Sequence, residues 1–76
     1  MATIKDFGGY RVTIYPREHG EPHVHVVGPD FAAKVSIADA AIIAGSLPAR
    51  VRRKVLRWVA ANGDMLAERW TEIVNR

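Results

Sequence analysis

The chain has 76 residues, no cysteine, 49% apolar residues and a net charge of +3, which bounds it to one small domain (residues 1–76) without disulfides, thiolate metal sites or cysteine nucleophiles. The N-terminal Met1-Ala2-Thr3-Ile4-Lys5-Asp6 holds no long apolar run, and no stretch of about 18 apolar residues occurs, so the sequence reads as cytoplasmic, with neither signal peptide nor transmembrane helix. The charge is uneven: residues 1–46 carry four basic and five acidic side chains, whereas residues 47–76 carry seven and three.

In chain order, Gly8-Gly9 opens the ordered part and Tyr10-Arg11-Val12-Thr13-Ile14-Tyr15 alternates strictly until Pro16. This predicts a strand with Tyr10, Val12 and Ile14 on one face and Arg11, Thr13 and Tyr15 on the other. Residues 16–21 form a charged loop containing Gly20. Pro22 pushes the residue before it into extended backbone, and Val24, Val26 and Val27 favour a second strand over His23 to Val27, so His23 and His25 project from one face. Gly28-Pro29-Asp30 is a turn signal. Phe31 to Ile37 alternates again, with Phe31, Ala33, Val35 and Ile37 on one side and Ala32, Lys34 and Ser36 on the other. Ala38 to Ala41 reads as a turn, and Ile42-Ile43-Ala44 as a short fourth strand ended by Gly45.

Ser46-Leu47-Pro48 reads as a helix start, with Ser46 or Leu47 at the cap and Pro48 in the first turn, where its missing N–H is not needed. The helix runs to about Ala61. Val51, Val55, Trp58 and Val59 form its apolar stripe and Arg50, Arg53, Lys54 and Arg57 cluster opposite, while Arg52 falls in the apolar arc and must extend its head outward. Asn62-Gly63-Asp64 gives a C-cap glycine followed by an N-cap aspartate, so a second helix folds back as a hairpin with Leu66, Trp70, Ile73 and Val74 inward. The fold class is α+β: a small antiparallel sheet of three to four strands covered on one face by a C-terminal helical hairpin. Trp58 and Trp70 belong to the core.

The uncovered face collects Arg11, Tyr15, His23, His25 and Lys34, and three readings of it stand side by side. A solvated polar face is ordinary for an antiparallel sheet. Two histidines two apart can chelate a metal such as zinc, with His19 or Glu21 as a third ligand. Alternatively, paired imidazoles with Arg11, Tyr15 and Lys34 supply the acid, the base and the cationic stabilisation that RNA cleavage needs. The helix residues Arg50, Arg53, Lys54 and Arg57 suit phosphate contacts or docking of an acidic partner, or simply form a solvated face.

Gly8-Gly9 before a strand, Pro22-His23-Val24-His25-Val26, Gly45-Ser46-Leu47-Pro48 and Leu66 with Trp70 together resemble a small bacterial family, domain of unknown function 4160, over nearly the whole chain. Members often carry Pro-Pro-His-Phe-His where this chain has Glu21-Pro22-His23-Val24-His25, so a base-stacking aromatic is absent between the histidines. Members are often encoded beside a small protein of another family, domain of unknown function 2442. The resemblance therefore implies the growth-inhibiting toxin of a type II toxin–antitoxin pair, neutralised by a small antitoxin protein as partner; it carries over no target and no catalytic residues. An oligomer is also compatible with so small a core, since about 60% of the unfolded surface is all that a chain of this length buries.

Overall fold

The computed structural model describes residues 2–75, which form five strands and two helices. The strands are β1 (Ala2–Asp6), β2 (Arg11–Ile14), β3 (His23–Val27), β4 (Ala32–Ser36) and β5 (Ala41–Ser46), and the helices α1 (Ala49–Ala61) and α2 (Gly63–Val74). The sheet is an antiparallel meander in the order β1-β2-β3-β4-β5. It has five strands rather than the expected three to four.

The added strand is β1. It carries only two apolar side chains, Ala2 and Ile4, and is held by pairing with β2, where Ala2 lies opposite Ile14 and Asp6 opposite Arg11. The last strand is longer than its apolar run because Gly45 lies within it. Gly45 takes φ 77°, and a Cβ there would meet the Ala32 carbonyl, so only glycine keeps the chain against β4.

Strand register produces the core. Val12 lies opposite Val26, Val26 opposite Ala33, and Val24 opposite Val35. These valines and Ile14 are buried with Val55 and Val59 of α1 and Leu66, Trp70 and Ile73 of α2. The helical stripes therefore cover the face that alternation predicts.

The helix ends differ from the expectation. Pro48, not Ser46 or Leu47, is the N-terminal flanking residue of α1. Asn62 serves both helices: its backbone N–H reaches the Trp58 and Val59 carbonyls, and its side-chain Nδ2–H donates to Trp58 O at 2.8 Å. The glycine of Asn62-Gly63-Asp64 is thus the first residue of α2 and not a C-cap. Among the described residues no helix is long and apolar enough to cross a membrane.

The two ends of the sheet differ in character. At one end the turns before β2 and before β4 bring together Phe7, Tyr10 and Phe31, with Phe7 stacked on Tyr10 at 5.0 Å between centroids and edge-on to Trp58 at 5.8 Å. The other end carries the loop 15–22 and the start of β3.

Candidate functional site

The loop between β2 and β3 turns back through two left-handed residues, Arg17 at φ 64° and Gly20 at φ 87°. Non-glycine residues adopt that conformation at a cost of about 1–2 kcal/mol, so Arg17 marks a loop held in one shape by its surroundings. The reversal carries Glu18 onto the histidines at the start of β3. Glu18 Oε1 lies 2.6 Å from His25 Nε2, and Glu18 Oε2 lies 3.6 Å from His23 Nε2. One donor atom from each of Glu18, His23 and His25 falls within 4.8 Å of the others.

His23 is the anchored member. Its Nδ1–H donates to the Glu21 carbonyl at 2.9 Å; a carbonyl only accepts, so Nδ1 carries a proton, and in that tautomer Nε2 is the lone-pair nitrogen. That Nε2 is buried and has no hydrogen-bond partner among the described residues. An unpartnered polar atom of this kind costs about 1–3 kcal/mol. Glu21 is held in turn, since Ser36 Oγ–H donates to its Oε2 at 2.9 Å and Asp39 N–H donates to Ser36 Oγ at 3.2 Å. Around the centre, Trp70 of α2 packs on the His23 ring at 5.0 Å and Tyr15 stands edge-on to His25 at 4.6 Å.

The family model described as Domain of unknown function (DUF4160) matches residues 9–71. The chain belongs to that family. The matched span of this DUF4160 domain holds the Glu18, His23 and His25 centre and the whole of α1. No curated protein and no solved structure matches the chain.

Within the DUF4160 domain the two histidines do not lie equally on an open face, as alternation alone predicts. His23 is 4% exposed, and Thr13 and Ser36 in the same polar rows are buried as well. The loop carrying Glu18 folds back on these rows, and Trp70 reaches past the end of the sheet to the first residue of β3. His25 stays half-buried, with Tyr15 in contact and the exposed Lys34 directly opposite across β3 and β4.

Arg11 is not brought to this centre. It pairs with Asp6 and Val27 toward the aromatic end of the sheet. His19 is exposed and outside the group, and the Glu21 carboxylate is engaged by Ser36. The loop donor is therefore Glu18. Sequence reasoning passed over it because nothing in local periodicity says which of two loop glutamates folds back.

Arg50, Arg53, Lys54 and Arg57 do come together. They line one open groove with Phe7, Trp58 and Ala61, and Lys54 Nζ lies 5.6 Å from the centre of the Phe7 ring. All four cations are exposed, and among the described residues none is in an ion pair; the pair away from the histidines is Arg69 with Glu72 at 3.7 Å. Trp58 is half-buried in the groove wall, whereas Trp70 is a core residue.

Proposed function

We propose that this DUF4160 protein acts on RNA as the growth-inhibiting toxin of a type II toxin–antitoxin pair, gripping the RNA backbone along α1. The observation that carries this reading is the groove of Arg50, Arg53, Lys54 and Arg57 beside Phe7 and Trp58. Like charges three and four residues apart on a helix repel one another, and a phosphate chain relieves that repulsion while the rings offer stacking surface to bases. The resemblance of family members to toxins encoded beside a small partner supports the cellular setting.

Strand cleavage in this reading belongs to the other end of the sheet. The scheme of two free imidazoles gives way there to one built on Glu18, His25 and Lys34, with Tyr15 alongside, because His23 is enclosed and cannot meet a leaving group. A small antitoxin protein neutralises the toxin by covering either region. The competing reading, a non-catalytic metal-binding or protein-interaction regulatory module, is favoured by one observation, the unpartnered His23 Nε2.

Fluorescence anisotropy with a short labelled single-stranded RNA, read across a salt series, tests the RNA reading. Four phosphate contacts give a slope of log K against log salt of about −3, at about −0.7 per phosphate. Binding weakens and the slope flattens in an Arg53→Glu, Arg57→Glu double variant. RNA that fails to bind at low salt, or that binds the double variant equally well, overturns the assignment.

A further inference from the structure

We infer that Glu18, His23 and His25 form a binding site for one divalent transition-metal ion, with two imidazole nitrogens and one carboxylate as its ligands. The inference rests on this centre, where the RNA reading places strand cleavage through Glu18 and His25, and it is separate from the backbone grip along α1.

The first support is the His23 ring. It is more than nine-tenths buried, its Nδ1–H is fixed on the Glu21 carbonyl, and its Nε2 lone pair faces the other two donors with no partner of its own. Metal-ligating histidines show this division of labour: one nitrogen tied to a carbonyl or carboxylate, the other free for the ion. The Ser36 to Glu21 contact lies behind it and steadies the residue that orients the ring.

The second support is stoichiometry. One carboxylate serves two imidazoles here, and it satisfies only His25, at 2.6 Å; the His23 nitrogen at 3.6 Å is left without a hydrogen bond. A cation between the three donors satisfies all of them at once.

The third support is spacing. Ligand bonds of about 2.0–2.2 Å hold neighbouring donor atoms about 3–3.5 Å apart. The three donors lie within 4.8 Å of one another, so closure asks for a shift of about 1 Å, which rotation of the partly exposed Glu18 and His25 side chains supplies. The 2.6 Å contact opens as the ion enters, and the His25 proton passes from Nε2 to Nδ1 or to solvent.

Two nitrogens and one carboxylate, with no cysteine in the chain, suit ions such as Zn²⁺, Co²⁺ or Fe²⁺. Three protein ligands leave at least one position open, as catalytic sites do. Lys34, opposite His25, favours an anionic ligand at that position.

Tag-free protein titrated with Zn²⁺ by calorimetry, and with Co²⁺ by visible absorption, tests the site. The expected result is one ion per chain, with affinity lowered at least about tenfold in Glu18→Gln and in His25→Asn and unchanged in His19→Ala. The Glu18 and His25 variants carry the test because both side chains are only partly buried, and circular dichroism checks that they fold. Absence of saturable one-to-one binding, equal binding by Glu18→Gln and His25→Asn, or loss of binding in His19→Ala overturns the inference. None of these readouts involves RNA, and the α1 double variant binds the ion as wild type does.

Discussion

A buried histidine with an empty acceptor is expensive for a chain of 76 residues. Removing both polar atoms avoids the penalty of the unpartnered nitrogen, so metal-free His23→Leu is expected to match or exceed metal-free wild type in urea unfolding, to within about 1 kcal/mol. Saturating zinc then separates the two proteins: at a hundredfold excess over Kd, wild type gains about 2.7 kcal/mol and the variant gains nothing. A His23→Leu protein destabilised by several kcal/mol without metal would show that the ring is kept for packing against Trp70. Gly45→Val is the contrasting residue, because its left-handed backbone and the nearby Ala32 carbonyl admit no side chain. That substitution costs about 1–3 kcal/mol, read as a fall in Tm of about 4–8 °C per kcal/mol. Parity along β3 makes the shared face of His23 and His25 legible in the sequence. Their unequal burial was not legible, because it depends on Trp70, which lies 47 residues further along the chain.

Strands and helices became legible where one local period decided them. The alternation in β2, β3 and β4 and the stripes of α1 and α2 place Val12, Val24, Val26, Val35, Val55, Val59 and Leu66 inside, and all are fully buried. Leu66→Ala is accordingly expected to cost about 2–5 kcal/mol in chemical unfolding. Ile43, in the same sheet but 45% exposed, should change stability by no more than about 0.5 kcal/mol when cut to alanine. Elements that depend on partners were not legible. β1 has too few apolar positions to declare itself and exists by pairing with β2. The reach of β5 through Gly45 follows from a register shift against Lys34 and Val35, where glycine ordinarily signals an end. At the helix junction Asn62 takes the capping contacts, so the glycine signal was displaced by one residue.

On the scale of the whole molecule, the strand register separates two regions. The loop 15–22 and the start of β3 bring Glu18, His23 and His25 together at one end, while Phe7, at the other end, joins the cations of α1. The division matches the proposed roles, with backbone contacts along the helix and chemistry at the sheet end. The basic density of residues 47–76 made the first region legible; the second needed the fold of a loop. The most direct measurement is controlled expression in a bacterial host of wild type beside a Glu18→Gln, His25→Asn double variant, with growth and total RNA followed together. The account predicts growth arrest with RNA loss in wild type and normal growth in a double variant that is folded and equally abundant. Normal growth of cells expressing wild type, or arrest by the double variant equal to that by wild type, would contradict it.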